Sequence, residues 1–358
     1  MLLSASLLPE PATSYEAEAT AFCRAWLGGQ DTFTLHTSGS TGSPKPIVLT
    51  RAQMRASAHL TGQTLGLQPG DAALVCLNVR YVAGVMMLVR GLELGLPMTL
   101  IEPTGNPLAG FSVDTTFAFT ALVPLQLQAI LENTPDKLPI LNRMKAILVG
   151  GAATSPALEQ ALQAIDAPVY ATYGMTETVS HIALRRLNGP DRSDLFTALE
   201  GVSLGTDERG CLHITSAVTN FERVQTNDVV ERLDEKRFRL LGRADMVINS
   251  GGVKVQPEPV ERVVQEVLAR FGLMPRLFVA GLPDERLGQQ VTVIIEQMSI
   301  NGTQWAAIQN AVRVRLGPYA VPKDWQIVPT FAETPTGKID HRATIDLLFS
   351  KDFRKQAN

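Results

Sequence analysis

Thr37-Ser-Gly-Ser-Thr-Gly-Ser-Pro-Lys45 lies between two short apolar runs, residues 33–36 and 46–50, that have strand composition. Its two glycines let the backbone turn tightly and present successive N–H groups, its hydroxyl side chains add donors, and Lys45 supplies a positive charge. That combination suits a polyphosphate. The same Gly/Ser/Thr/Pro composition also marks an ordinary surface hairpin, so on these residues alone both readings stand. A Walker A loop is excluded: counted from Gly39, the second required glycine falls on Pro44, and no helix starts after Lys45. The chain has no G-x-G-x-x-G, which removes the main signal of a Rossmann dinucleotide site.

Outward from this loop, short apolar runs alternate with helix-length segments. Residues 33–37, 73–77, 98–101, 117–120, 146–149 and 169–172 read as buried strands, and 51–65, 82–94, 124–132 and 156–164 as helices. Such alternation predicts a mostly parallel sheet covered by helices. Beyond residue 201 the segments shorten, and 211–215, 229–233 and 238–241 predict a small antiparallel part. After Gly242 a compact α+β unit is expected, with helices at 257–270 and 303–316 and strands at 277–281 and 291–296. The predicted class is α/β: a large N-terminal domain with mostly parallel sheet plus helices, then a small α+β C-terminal domain.

Composition narrows the function. A chain of 358 residues holds two or three folding units, and 45% hydrophobic with 19% charged residues excludes a disordered chain. The net charge of -3 lacks the basic excess of a nucleic-acid binder. Residues 1–242 carry 18 basic and 23 acidic side chains and the remainder 14 and 12, a modest asymmetry of ordinary surface kind. The first ten residues lack the basic flank of a leader, and Arg90 and Glu93 interrupt the longest apolar stretch, so no membrane span is expected. Cys23, Cys76 and Cys211 show no pairing or zinc spacing, and the histidines show no ligand spacing, which fits a cytoplasmic protein.

Four further segments stand in order after the loop: Tyr173-Gly-Met-Thr-Glu-Thr178, Gln225-Thr-Asn-Asp228, Gly242-Arg-Ala-Asp245 and Pro335-Thr-Gly-Lys338. With Thr37–Lys45 they resemble the signature motifs of the acyl-adenylate-forming enzymes, the superfamily of acyl-CoA synthetases, firefly luciferase and peptide-synthetase adenylation domains. The resemblance runs from about residue 33 to the end.

A carboxylate is a poor acylating agent because oxide is a poor leaving group, so such enzymes first attach AMP and expel pyrophosphate. That chemistry asks for positioning and charge stabilisation more than for a protein nucleophile. The resemblance implies that Thr37, Ser38, Gly39, Ser40, Thr41, Gly42 and Lys45 hold the β- and γ-phosphates. Gly150, Gly151 and Ala152, after an apolar strand, would admit a flat base or acyl group, or simply end that strand. Tyr173, with Gly174 and Met175, would meet adenine; Thr176 would donate to the α-phosphate and Glu177 would hold Mg²⁺. Asp228 would accept from the ribose hydroxyls, Arg243 would reach ribose or phosphate, and Lys338 would neutralise charge at the α-phosphate and the attacking carboxylate. The family's usual Arg and Gly before Asp228 are Gln225 and Asn227 here, which leaves the local turn open.

The resemblance further implies a hinge at 243–246 with Asp245 at its centre, joining a large domain, 1–242, to a small mobile one, 247–358. Gly251 and Gly252 would border a tunnel for the thiol of coenzyme A. Asn249-Ser-Gly-Gly-Val-Lys-Val-Gln-Pro-Glu-Pro-Val-Glu261 looks most like the o-succinylbenzoate–CoA ligases of menaquinone synthesis. Their acid carries a second carboxylate, and Arg80, with Arg90 as second choice, would meet it; Tyr81, Gly84 and His181 complete the pocket candidates. Both arginines also read as surface residues of a helix, Arg90 more readily than Arg80. Other expectations are another aryl or fatty acid, a carrier-protein acceptor, and a silent nucleotide-binding scaffold. Most relatives place a subdomain before the phosphate loop, so the chain reads as a shortened member whose bared surface a partner subunit, as in a homodimer, would cover.

Overall fold

The computed structural model describes residues 8–36, 45–334 and 338–349. Helix α1 (Ser14–Leu27) leads into a hairpin, β1 (Thr32–His36) and β2 (Pro46–Thr50), followed by α2 (Arg51–Leu65), β3 (Ala73–Val75), α3 (Val82–Leu94) and β4 (Met98–Leu100). Next come β5 (Phe119–Leu122), α4 (Pro124–Asn133), α5 (Leu138–Asn142), β6 (Ala146–Val149), α6 (Pro156–Ala161), β7 (Val169–Gly174) and β8 (His181–Arg186). Strands β9 (Phe196–Ala198), β10 (Ser203–Thr206), β11 (Cys211–Thr215), β12 (Val224–Arg232) and β13 (Arg237–Arg243) follow. The remainder is β14 (Ile248–Ser250), β15 (Val253–Val255), α7 (Pro257–Arg270), β16 (Leu277–Asp284), β17 (Gly288–Glu296), α8 (Gly302–Leu316), β18 (Asp324–Val328) and α9 (His341–Phe349).

Local chemistry sets these boundaries. At the start of α2, Thr50 accepts from the Gln53 N–H and Gln53 answers to the Thr50 N–H; Gly66, at φ 64°, ends the helix in the left-handed region. Helix α3 is apolar nearly all round, and its residues 84–91 are buried without a break.

Eleven strands form one sheet in the order β10-β11-β12-β13-β9-β8-β7-β6-β5-β3-β4. From β4 to β7 the ladders are parallel, and from β7 onward they are antiparallel. The expected antiparallel part is therefore the second half of the large sheet. Strand β8 joins the halves, pairing with β7 on one side and with β9 on the other. A second sheet orders β15-β14-β17-β16, with β18 parallel to β17. One apolar cluster runs from Tyr15 to Phe238; two smaller ones draw on residues from Ile248 onward.

Candidate active site

Parallel α/β sheets present their ligand sites at the carboxyl ends of the strands. Here β6 and β7 end side by side, and the β7–β8 connection lies at that edge of the sheet. Thr178 accepts from the Met175 N–H at 3.0 Å and its hydroxyl lies 2.9 Å from the Ser180 carbonyl, which folds residues 176–178 into a single turn. Val179 then stands at φ 64°, a costly conformation for a β-branched residue. Thr176 is buried and Glu177, beside it, is exposed. Gly174 is required by close approach: a Cβ there would lie 2.2 Å from the Ser180 carbonyl oxygen. Gly150, Gly151 and Ala152 follow β6, next to β7 in the sheet.

Strands β1 and β2 pair in register from Thr32↔Thr50 to His36↔Pro46, so the segment read as a phosphate loop connects this hairpin. Thr37, Ser38, Gly39, Ser40, Thr41 and Gly42 lie outside the described residues; Lys45 is exposed beside the first residue of β2.

Tyr173, Asp228, Arg243 and Asp245 form one hydrogen-bonded chain. The Tyr173 hydroxyl donates to Asp228 Oδ2 at 2.6 Å, and Arg243 Nη1 donates to Asp228 Oδ1 at 3.2 Å. Asp228 and Arg243 are register partners across β12 and β13. Arg243 also forks onto Asp245 at 2.9 and 2.7 Å, holding that carboxyl below its ordinary range, and its N–H donates to Glu258 at 3.1 Å. The Tyr173 ring packs at 5.2 Å from Phe238 and 5.7 Å from Phe196; burial and then Asp228 raise its pKa well above the ordinary phenol. The stretch left open before Asp228 belongs to β12 but is irregular: its register with β11 shifts between the Cys211↔Val229 and His213↔Gln225 pairs, the Gln225 amide donates to the Cys211 and Leu212 carbonyls, and the Asn227 carbonyl accepts from Ala244. Lys338 is half-buried, its backbone exchanging hydrogen bonds with Thr334 at 3.2 and 2.8 Å. Burial first, and then the Arg243 charge, lower its pKa. Gly251 and Gly252, both exposed, turn β14 into β15.

The arginines trade places relative to the sequence expectation. Arg80 is exposed and forms an ion pair with Glu18 of α1. Tyr81 is the residue before α3 and half-buried. Gly84 answers to packing, since a Cβ there would stand 2.3 Å from the Asn78 carbonyl oxygen. Arg90, read as a surface residue, is buried. Its Nε donates to Thr61 at 3.2 Å and its Nη2 to Ser180 at 2.7 Å, and no carboxylate pairs with it among the described residues. Burial lowers its pKa to about 9. His181 is also buried, 3.3 Å from Thr61 and 3.4 Å from Ser180; burial first, and then Arg90, push it well below the ordinary imidazole. A signal for Arg90 was present: an arginine on a helix apolar on every side has no wet face.

Among the described residues no helix is long and apolar enough to cross a membrane, and no group of three or more His, Cys, Asp or Glu gathers as metal ligands. The fold and site define an α/β protein whose candidate site residues gather at the carboxyl ends of β6 and β7. Residues 9–199 match the model of the AMP-binding enzyme family. The chain belongs to that family, the AMP-forming ligases that activate acids as adenylates for transfer to coenzyme A. It is 28% identical over 350 residues to the 2-succinylbenzoate–CoA ligase of Salmonella typhimurium strain LT2, covering 93% of this chain and 72% of that protein. It is 30% identical over 330 residues to the probable 2-succinylbenzoate–CoA ligase of Mycobacterium tuberculosis strain H37Rv, covering 86% and 82%. Among solved structures, an acyl-CoA synthetase (AMP-forming)/AMP-acid ligase II-like protein of Dyadobacter fermentans is 47% identical, covers 96% of this chain and 97% of that one, and superimposes with a TM-score of 0.65. The Bacillus subtilis O-succinylbenzoate coenzyme A synthetase bound to ATP and magnesium shares the fold at 20% identity, covering 87% of this chain and 69% of that one, with a TM-score of 0.69.

Proposed function

We propose that this chain converts o-succinylbenzoate and ATP to the acyl-adenylate with release of pyrophosphate, then passes the acyl group to the sulfur of coenzyme A with release of AMP. The observation that carries the substrate is Arg90. A guanidinium in the core without an acidic partner bears a desolvation penalty of several kcal/mol, roughly, that a ligand carboxylate offsets. A two-carboxylate acid supplies that partner while its other carboxylate reacts. The names of the curated relatives support the same acid.

The remaining residues take roles in the first half-reaction. Asp228 keeps acceptor capacity beyond Tyr173 and Arg243 for the ribose hydroxyls, since an ionised carboxylate has about four lone-pair sites. Lys45 meets the leaving phosphates, Thr176 donates to the α-phosphate, and Lys338 brings positive charge to the α-phosphate and the attacking carboxylate. Gly150, Gly151, Ala152, Gly174 and Met175 frame the base, with Tyr173 at its edge. Glu177 suits Mg²⁺, which takes one or two carboxylates and shares its other positions with water and phosphate; an exposed lone carboxylate fits that better than a closed cage. Bound there, the ion would offset phosphate charge.

Residues 243–246 form the hinge between a unit ending at Gly242 and one beginning at residue 247, in keeping with the separate apolar clusters. Rotation about Asp245 would exchange Lys338 for the thiol passage beside Gly251 and Gly252. Pyrophosphate release tests the substrate. The wild type is expected to prefer o-succinylbenzoate over 4-oxo-4-phenylbutanoate, which lacks the ring carboxylate, and Arg90→Met to lose that preference. Equal turnover of the two acids by the wild type would favour another aryl or fatty acid.

A further inference from the structure

The hydrogens around Arg90 are fully assigned by their partners. Thr61 gives its hydroxyl hydrogen to the Ser57 carbonyl at 2.9 Å, so at its oxygen it accepts from Arg90 Nε at 3.2 Å and from His181 Nε2 at 3.3 Å. Ser180 accepts from Arg90 Nη2 at 2.7 Å, and its own hydrogen turns to His181 Nδ1, 3.4 Å away. Burial and the Arg90 charge keep the imidazole neutral, the pattern then puts its proton on Nε2, and the ring occupies the second side of both hydroxyls that hold the arginine. Arg90 has five N–H groups. One goes to Thr61, one to Ser180 and one, from Nη1, faces the Met87 sulfur at 3.9 Å. Of the two left, one belongs to Nη1 and one to Nη2, and a guanidinium offers a carboxylate two N–H groups at once as a fork. One turn before Thr61 on α2, the Ser57 hydroxyl is buried with no partner among the described residues, a further donor within the same cluster.

We propose that His181 is a positioning residue: acting through Thr61 and Ser180, it fixes Arg90 as a receptor for one planar carboxylate and sets the preference for an acid that bears a second carboxylate. It touches neither the reacting carboxylate nor ATP. The inference rests on the reading of Arg90 given above, and the two can fail separately.

The test is steady-state pyrophosphate release by the full chain with o-succinylbenzoate and with 4-oxo-4-phenylbutanoate, comparing the ratio of their kcat/KM values. Thr61→Val and His181→Leu are each expected to lower that ratio by about 10-fold or more, the loss typical of a hydrogen bond to a charged group, through the KM of the two-carboxylate acid and not that of ATP. Thr61→Ser, which restores the hydroxyl, is expected to recover most of it. Melting temperatures identify any variant that is merely unfolded, in which case Thr61→Ser and His181→Gln carry the comparison. If Arg90→Met abolishes the preference while the His181 and Thr61 variants keep it, the positioning role is overturned and the Arg90 reading stands. If Arg90→Met keeps the preference, both fall.

Discussion

The Tyr173 hydroxyl, 2.6 Å from Asp228 Oδ2, fastens the last parallel strand to the antiparallel half of the same sheet. It does so where the proposal places ribose. Tyr173→Phe keeps the ring packing and removes the link. We expect a stability loss of about 1–2 kcal/mol by urea unfolding, together with a several-fold rise in the KM for ATP. An unchanged KM would assign the bond to the fold alone.

Lys338 follows the proposed hinge in the chain, and burial and the Arg243 charge lower its pKa. Lys338→Ala is expected to suppress acyl-adenylate formation by about 100-fold or more while thioester formation from supplied acyl-adenylate stays largely intact. Rapid-quench measurement of each half-reaction separates the two. An equal loss in both would remove Lys338 from its assigned place.

A methyl group at Gly174 would meet the Ser180 carbonyl, which is backbone and held by the Thr178 hydroxyl. Gly174→Ala is expected to cost about 1–3 kcal/mol by forcing the turn open. Because that turn carries Thr176 and Glu177, adenylation should fall further than stability does, measured as kcat at a temperature where the variant is folded.

Glu261 on α7 accepts the Val279 N–H at 2.8 Å, and burial pushes its carboxyl up to about 8. Free glutamate titrates near ~4.3, so between the two values the folded chain holds a proton that the unfolded chain has lost. The contribution to stability is complete below the unfolded value and drains away as pH rises toward the folded one. Melting temperature in the wild type should therefore fall from about pH 5 to about pH 8 more steeply than in Glu261→Gln, which keeps the acceptor and has no charge to bury. Parallel curves would contradict this.

Arg80 lies outside the proposed acid pocket and pairs with Glu18 on the surface. Arg80→Ala should leave the KM for o-succinylbenzoate where it is, measured beside Arg90→Met. A rise confined to Arg80→Ala would restore the original sequence assignment.

Much of this was legible before the structure. Helices α2, α3 and α7 begin and end at the bounds read from sequence, 51–65, 82–94 and 257–270, and Thr50, Gly66, Gly95 and Pro257 stand at those ends. The parallel strands were found as short apolar runs. Strand β8 was not, because His181, Arg185 and Arg186 break its apolar character, and without β8 the antiparallel half reads as a separate piece. The motifs around Tyr173, Asp228 and Arg243 were each named from sequence. Their joining into one hydrogen-bonded chain depends on strand register across β7, β12 and β13, which local composition does not encode. The exchange of Arg80 for Arg90 has the same origin: Arg80 precedes α3 and Arg90 lies on it, and the packing of α1 and α2 against that helix decides which one meets water.

Mass spectrometry of the products formed from ATP, Mg²⁺, coenzyme A and a panel of acids tests the account most directly. The expected products are AMP, pyrophosphate and a single dominant CoA thioester, that of o-succinylbenzoate. A thioester formed equally well from acids without a second carboxylate, or ATP binding with no pyrophosphate released from any acid, would contradict it.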